Sequence, residues 1–331
     1  MNSRKNILYI FHVSIIGGGS FCLLNMIKRL DKESFNPIVL LKDRGPLVIE
    51  LEKIGATVYL EKSISTVLYN KSILKISSIK QLYGVIRSIS KVKYWLKETK
   101  ADIVHINSMM LYPYLWPAYQ LKTKTVIHMR ENWPKDEHQI QFGFARNIIN
   151  KYADKIIAIN QTSADILGIL SKTEIIFDWI DFENRDDSTS YSELFGNSFK
   201  TLKIFVFLGG IQKSKGALEI VETFTKELPM TDIRLLFVGC DSKNITYQGI
   251  KGYVKKMLSH FNYHSYYDKI KYFAQHDKRI VFIPSTYKIK SIIEQSYCLL
   301  SFHTMPHANL LLAESVYLGK PVITALTPET L

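Results

Sequence analysis

The feature that most constrains the fold is an apolar run that ends in glycines and is followed by a helical pattern. Leu202–Leu208 is the run, Gly209 and Gly210 end it, and Lys215 and Gly216 precede apolar residues at three- and four-residue steps. This order is typical of a buried strand, a glycine turn and an amphipathic helix. The backbone N–H groups and positive end of such a helix attract anions, and a lysine adds a full charge. We therefore predict a phosphate-binding turn here.

The same alternation of strand and helix runs along the whole chain. The predicted strands are Asn6–Phe11, Phe35–Leu41, Ala56–Leu60, Asp102–Asn107, Lys124–Arg130, Ala153–Asn160, Glu174–Asp178, Leu202–Leu208, Arg234–Val238, Arg279–Ile283, Tyr297–Phe302 and Val322–Leu326. The predicted helices between them include Phe21–Leu30, Pro46–Ile54, Lys215–Leu228, Lys251–Phe261, Ile289–Gln295 and Leu310–Leu318. Strict alternation predicts parallel sheets with helices on both faces.

Length and composition favour two cores and a reducing compartment. A chain of 331 residues with 47% hydrophobic residues is long enough for two domains. A polar stretch, Asp186–Ser192, favours a boundary that gives domains 1–185 and 186–331. The three cysteines are scattered in apolar runs and make a poor disulfide framework.

His12 interrupts the first apolar run, which we interpret as a strand rather than a signal peptide. No apolar segment is long enough to span a bilayer.

Basic residues are concentrated in the first half of the chain. The net charge is +13, and the segment Lys62–Lys100 carries nine basic residues against one acidic residue, Glu98. Within it, Ile76, Ile79, Leu82, Ile86, Ile89, Val92 and Trp95 recur at helical steps. One interpretation is a helix that covers a sheet and has a solvated basic face; the other is a basic amphipathic helix that docks on an anionic membrane. We prefer the membrane over nucleic acid as the anionic partner, because no nucleic-acid-binding motif is recognisable.

Polar residues follow the predicted strands of the first domain. Gly17–Gly19 and Ser20 follow the first strand, and they form either a plain tight turn or a turn that faces phosphate. His105 and His128 stand near the carboxyl ends of two strands, where ligands collect in open α/β sheets. The alternative for each histidine is a ring that a backbone carbonyl satisfies. Arg130 and Glu131 come next, at the same edge, and are further candidates for ligand contact.

A second motif, His307–Thr324, carries a conspicuous carboxylate. Glu314 is predicted to lie on a short helix that stops at Gly319, ahead of another apolar strand, and to hold ligand hydroxyls. His260 and His264 are spaced to share a helix face, but no third ligand stands at a helpful spacing, so we predict no metal site.

These motifs resemble the family-4 glycosyltransferases of the GT-B fold. The match to the family's first motif is carried by Gly209, Lys215 and Gly216, and the match to its second motif by Glu314 and Gly319–Pro321. The resemblance covers essentially the whole chain. It implies a GT-B architecture, in which two Rossmann-like, doubly wound parallel-sheet domains face a cleft. Because the chain stops at Leu331, where family members usually continue, we expect the second domain to be incomplete.

The resemblance also implies roles for individual residues. A nucleotide-sugar would be bound by Gly18 and Gly19 in the first domain and by residues of the second, namely Gly209, Gly210, Lys215, Gly216, Ala308, Asn309, Leu310 and Glu314. Lys215 would offset charge on the departing diphosphate, and His128 would orient groups at the transferred sugar. Ser20, His105, Arg130 and Glu131 would lie on the acceptor side. The family retains anomeric configuration, and we expect neither a metal nor another cofactor.

Three functions follow from this pattern. The first is sugar transfer to a lipid-linked saccharide at the cytoplasmic face of the membrane, in assembly of lipopolysaccharide, O-antigen or capsule. The second is a catalytically impaired GT-B protein that binds a nucleotide or a partner, because Gly210 stands where the family has an arginine and Pro306 where it has a glutamate. The third is a sugar-nucleotide epimerase, for which we identify no acid and base pair.

Overall fold

A computed structural model describes residues 4–15, 17–67, 76–131, 139–178, 180, 190–211, 213–239, 266–286, 288–303 and 310–325. The chain divides into two compact units, Met1–Trp179 and Ile180–Leu331. The predicted boundary between residues 185 and 186 falls in the segment 181–189, outside the described residues, and stays a prediction.

The first unit is built on a parallel sheet. Over the described residues its strands are Lys5–Phe11 (β1), Phe35–Leu41 (β2), Thr57–Leu60 (β3), Ile103–Ile106 (β4), Lys124–Met129 (β5), Lys155–Ala158 (β6) and Thr173–Ile175 (β7). They are arranged in the order β3-β2-β1-β4-β5-β6-β7, and every pair is parallel. This arrangement confirms the doubly wound sheet that the alternating pattern predicts.

Helices connect these strands. They are Gly18–Lys28 (α1), Pro46–Lys53 (α2), Ile76–Glu98 (α3), Leu115–Gln120 (α4), Gln139–Tyr152 (α5) and Gln161–Leu167 (α6), with 3₁₀ turns at Met109–Tyr114 and Leu170–Lys172. Two apolar cores form around the sheet: one contains Tyr9 and Leu23 of α1, and the other contains Val92 of α3 and Ile149 of α5. Among the described helices, none combines the length and the hydropathy needed to cross a bilayer.

The second unit repeats the arrangement with a smaller sheet. Its described strands are Lys203–Leu208 (β8), Ile233–Val238 (β9), Ile280–Ile283 (β10), Cys298–Ser301 (β11) and Val322–Thr324 (β12), in the parallel order β10-β9-β8-β11-β12. Its described helices are Tyr191–Phe195 (α7), Ala217–Glu227 (α8), Tyr266–His276 (α9), Ile289–Gln295 (α10) and Leu310–Tyr317 (α11), with 3₁₀ turns at Asn197–Thr201 and Lys213–Lys215. The predicted helix Lys251–Phe261 lies outside the described residues.

Two sequence predictions need correction. Helix α1 begins at Gly18, so Gly18 and Gly19 form its first turn instead of a loop before it, and only Gly17 is extended. In α3, Leu82 and Ile86 do not pack on the sheet: they are 50% and 60% exposed. The buried side of α3 runs through Val85, Val92 and Leu96, because the rotation of a helix about its axis is set by the surface it packs on.

Candidate functional site

A stripe of polar residues crosses one face of the first sheet near the carboxyl ends of its central strands. Tyr9 of β1 pairs with His105 of β4, and His105 pairs with Val126 of β5, two residues before His128. Since side chains alternate between the faces of a strand, these aromatic and histidine side chains share one face. The ring centroids of Tyr9 and His105 lie 5.2 Å apart, and those of His105 and His128 lie 5.6 Å apart. The structure thus brings the two predicted histidines together.

Arg130 connects this stripe to the carboxylate of Asp178, which follows β7, the last strand of the first sheet. Its Nη1 donates to both carboxylate oxygens of Asp178, at 2.8 and 3.0 Å, and its Nε donates to Asn107 Oδ1 at 2.9 Å. Its Nη2 lies 3.4 Å from His128 Nδ1. The side chains of Arg130 and Asp178 are only 7% and 15% exposed. Arg130 is therefore held in a buried network; whether it also contacts the acceptor stays a prediction.

Glu131 is bound within its own unit. Its carboxylate accepts hydrogen bonds from Ser108 Oγ at 2.6 Å and from the Met109 amide at 2.9 Å, at the start of the 3₁₀ turn after β4. Burial raises the pKa of Glu131, although both hydrogen bonds oppose the shift. These contacts give Glu131 a structural role, and its predicted contact with the acceptor remains untested.

Three buried nitrogen atoms of the stripe have no hydrogen-bond partner in the part of the chain that the structure describes. They are His105 Nε2, His128 Nε2 and Asn107 Nδ2. Leaving such a group unsatisfied costs about 1–3 kcal/mol, so each one needs an explanation such as a ligand or a water molecule. Burial and the charge of Arg130 lower the pKa of His105 to about 3 and lower that of His128 well below 6.5. Both rings are therefore neutral at pH 7.

The start of α1 lies against this stripe. A Cβ added at Gly19 would lie 3.4 Å from Phe11 Cζ and 3.8 Å from Arg130 Cδ, so the helix approaches both side chains closely. The first turn of α1 has no side-chain cap and no acidic residue, which leaves amide groups available for an anion. Ser20 is buried and its Oγ donates to the carbonyl of Ile15 at 2.6 Å.

In the second unit, the side chain of Lys215 packs against the glycine turn that follows β8. Lys215 Nζ donates to the Gly209 carbonyl at 3.2 Å, and burial lowers the pKa of Lys215. A Cβ at Gly209 would lie 2.5 Å from Lys215 Nζ. Gly210 has φ +69°, and a Cβ there would lie 3.1 Å from the Gly239 carbonyl oxygen. An arginine at position 210 would thus be strained in this backbone, because both φ and space favour glycine.

At the N-terminus of α8, one backbone amide is already bound by Tyr266, a residue that we did not predict at this site. Gly216 caps α8 without a side-chain contact, as the predicted phosphate turn requires. However, the Tyr266 hydroxyl accepts a hydrogen bond from the Leu218 amide at 2.7 Å and donates to Glu219 Oε2 at 3.1 Å. No sequence signal connects Tyr266 to a turn almost fifty residues earlier. An anion here would have to be bound mainly by Lys215 and the free amides.

The structure describes some of the remaining predicted site residues of the second unit, and others lie outside the described residues. Ala308 and Asn309 lie outside the described residues, as do Pro306, His260 and His264. Leu310 begins α11, and Glu314 is buried one turn later on the same helix, at 8% exposure. Within the described part of the chain, no group of three or more His, Cys, Asp or Glu side chains is placed to hold a metal ion.

Asn107 and Asp178 are network residues that we did not single out from the sequence. Asn107 directly follows the buried strand β4, whereas Asp178 lies three residues after the largely exposed strand β7. A polar residue that follows a buried parallel strand is a signal that identifies Asn107, since ligand sites form at that edge.

Comparison with known proteins agrees with this architecture. Residues 16–175 match the model of Glycosyltransferase Family 4. The fold resembles that of Anabaena Alr3699/HepE in complex with UDP and glucose, with a TM-score of 0.71 and 17% identity over 99% of this chain and 82% of that chain. A glycosyltransferase from Rickettsia africae gives a TM-score of 0.64 at 18% identity, covering 97% of this chain and 79% of that chain.

The lipopolysaccharide outer core galactosyltransferase WaaB is also similar, with a TM-score of 0.55 and 14% identity over 98% of this chain and 82% of that chain. No curated protein sequence matches the chain. The two parallel sheets and these similarities define the GT-B fold. Residues 16–175 lie in the first unit, and their match to the family-4 model confirms the resemblance to this family drawn from the sequence.

Proposed function

We propose that the protein transfers a sugar from a nucleotide-sugar donor to a lipid-linked saccharide acceptor, with retention of anomeric configuration. The observation that carries the proposal is the family-4 match over residues 16–175 on a GT-B fold. The role we propose is assembly of a bacterial surface polysaccharide, such as lipopolysaccharide, O-antigen or capsule. The similarity to WaaB, a lipopolysaccharide galactosyltransferase, supports this choice.

The second unit would bind the donor. Lys215 lies over the glycine turn and its ammonium donates to the Gly209 carbonyl, and we expect this ammonium to bind a diphosphate oxygen of the donor. Gly216 and the start of α8 would supply backbone donors, and Glu314 would accept hydrogen bonds from the ribose. Because Alr3699/HepE was solved with UDP and with UDP-glucose, UDP-sugars are the donors to test first.

The first unit would supply groups at the transferred sugar. In a retaining transfer the acceptor oxygen bonds to the anomeric carbon on the face that the diphosphate leaves. The electron pair of the broken bond departs with the phosphate, which also takes the proton of the acceptor hydroxyl. His128 is neutral, and its Nε2 has no hydrogen-bond partner among the described residues, so it would contact a sugar oxygen rather than act as a nucleophile.

Helix α3 offers a surface that fits an anionic membrane. Tyr83 and Ile86 are 68% and 60% exposed on a helix whose opposite side is buried. The exposed part of α3 also carries Arg87, Lys91 and Lys97. Apolar side chains among cations are what an interfacial helix uses to enter the headgroup region. We therefore propose that the protein acts at the cytoplasmic face of the cell membrane as a peripheral protein, where a lipid-linked acceptor would be found.

Liposome co-sedimentation tests this surface. Arg87→Gln/Lys91→Gln should weaken binding to anionic vesicles by about 2 kcal/mol, roughly 30-fold, because each cation near such a surface contributes about 1 kcal/mol. The matched control is Lys124→Gln/Lys155→Gln, which removes the same charge from exposed positions on β5 and β6. Equal losses in the two variants, or equal binding to neutral vesicles, would contradict a docking role for α3.

The alternative is a protein that binds a nucleotide or a partner without transfer. It is favoured by Gly210, which offers no cation where the family has an arginine and whose backbone would strain any replacement.

An assay of the full chain with radiolabelled UDP-sugars and a bacterial lipid extract separates the two functions. We expect label to enter the lipid fraction and expect His128→Ala to remove most of this transfer. Donor binding by calorimetry without transfer to any acceptor would support the binding protein instead. Absence of both would contradict both proposals.

A further inference from the structure

The contact between Arg130 and His128 determines which nitrogen of the histidine carries its proton. Arg130 Nη2 lies 3.4 Å from His128 Nδ1. A guanidinium has only donors, so it can contact this nitrogen favourably only if the nitrogen is an unprotonated acceptor. A neutral imidazole has one proton, and with Nδ1 unprotonated that proton lies on Nε2.

We propose that Arg130 is a positioning residue that fixes His128 in the Nε2–H tautomer, so that His128 meets its ligand as a hydrogen-bond donor. The inference rests on the proposed function only for the identity of that ligand, a sugar oxygen.

Arg130 is itself fixed tightly enough for this role. Asp178 accepts two hydrogen bonds from Nη1, Asn107 accepts one from Nε, and the arginine side chain is 7% exposed. Both Asp178 and Asn107 are thus occupied by the guanidinium, which leaves Nη2 directed at His128. A flexible surface arginine would not hold one tautomer, whereas a guanidinium with its other donors occupied has a fixed plane.

The surroundings of His128 keep its imidazole neutral. A neutral imidazole carries one proton, so the ring has a defined tautomer. The titratable groups of the described residues around His128 are Arg130 and His105, with Tyr9 next to His105 and with Asp178, Glu131 and Cys22 next to Arg130. Burial, followed by the charges of Arg130 and His105, lowers the pKa of His128. The negative charge of Asp178 is engaged by Arg130 and does not reverse this direction.

A consequence concerns the kind of ligand atom that fits. Asn107 Oδ1 accepts from Arg130, so its Nδ2 is a donor, and among the described residues this buried donor has no partner. His128 Nε2–H is a second such donor linked to the same guanidinium. An oxygen that accepts a hydrogen bond, such as a sugar hydroxyl or ring oxygen, would satisfy either donor. A ligand group that only donates would gain nothing there.

Nitrogen-15 NMR of the full chain with labelled histidine tests the tautomer without any assay of transfer. The His128 signals are assigned by their loss in His128→Gln. We expect wild-type His128 at pH 7 to show a protonated Nε2 and an unprotonated Nδ1. In Arg130→Met we expect both tautomers to be populated and the titration midpoint of His128 to rise, because donor and charge are both lost. A wild-type signal with the proton on Nδ1, or an unchanged tautomer in a folded Arg130→Met, would overturn the proposal.

A matched control separates tautomer control from general loss of an ion pair. Arg279 in the second unit is also partly buried and paired, with its Nη2 2.6 Å from an Asp277 oxygen. Arg279→Met should leave the His128 signals unchanged, and a change there would attribute the effect to overall destabilisation. If Arg130→Met does not fold, Arg130→Gln takes its place, because its side chain also lacks the guanidinium and its charge. A correct tautomer in a protein that transfers no sugar would reject the proposed function but not this inference.

Discussion

Replacing Lys215 with alanine is expected to weaken binding of a UDP-sugar by about 1.5–3 kcal/mol, the range for a hydrogen bond to a charged group. In the free protein the ammonium donates to the Gly209 carbonyl and lies in a partly buried position, where burial lowers the pKa of Lys215. A diphosphate would supply the negative charge that this environment lacks. The loss should therefore appear in both the dissociation constant measured by calorimetry and the transfer rate.

The matched control is Lys213, two residues earlier in the same 3₁₀ turn. Its side chain is exposed, so Lys213→Ala should change donor affinity by much less. Because the pKa of Lys215 is lowered, donor affinity should be full at pH below that pKa and should decline as pH rises through it. Equal losses in the two variants, or an unchanged affinity in folded Lys215→Ala, would remove Lys215 from the site.

Replacing Asp178 with alanine is expected to destabilise the first unit by about 3–5 kcal/mol, because removing one partner of a buried pair leaves an uncompensated charge. Asp178 is the carboxylate partner of Arg130. The Arg130 side chain is 7% exposed and the Asp178 side chain is 15% exposed. The change also frees Arg130 Nη1, so the guanidinium would lose the plane in which it meets His128.

Tryptophan fluorescence reports this unit selectively during denaturant unfolding. All four tryptophans of the chain lie in Met1–Trp179, at Trp95, Trp116, Trp133 and Trp179. The matched control is Glu174→Ala, which breaks the exposed Lys155–Glu174 pair and should cost about 0–1 kcal/mol. A similar small loss in Asp178→Ala would show that water relieves the arginine charge and that the pair is not a buried one in solution.

The strands were the most predictable elements, because each is a short apolar run between turns. The strand Phe35–Leu41 has the bounds that the sequence predicts, and so does the helix Ile289–Gln295. Several helices were missed. Helix α4 contains Pro117 and α6 is only seven residues long, so neither carries a long periodic pattern. Helix α9, Tyr266–His276, was also absent from the predicted helices. Short helices depend on packing for most of their stability, and local sequence signals them weakly.

The candidate site was predictable where one segment makes it and unpredictable where several do. Lys215 and Gly209 lie six residues apart, so the pattern of that segment alone placed the lysine at the turn. His105 and His128 could be placed at one edge because parallel strands align their carboxyl ends. That Leu82 and Ile86 would be exposed was not predictable, since helical spacing alone leaves open which side of the helix meets the sheet.

By itself, the sequence determined the alternating parallel architecture, the glycine turn under Lys215 and the excess of cations in the first half, because each follows from local composition and spacing. Only the tertiary structure decided that Arg130 meets Asp178, Asn107 and His128 at once. These partners come from segments 23 to 48 residues away or from the same strand, and sheet register and burial bring them together. A guanidinium buried away from water needs a carboxylate partner. Which carboxylate lies close enough depends on the folded structure, and the sequence order alone does not give that distance.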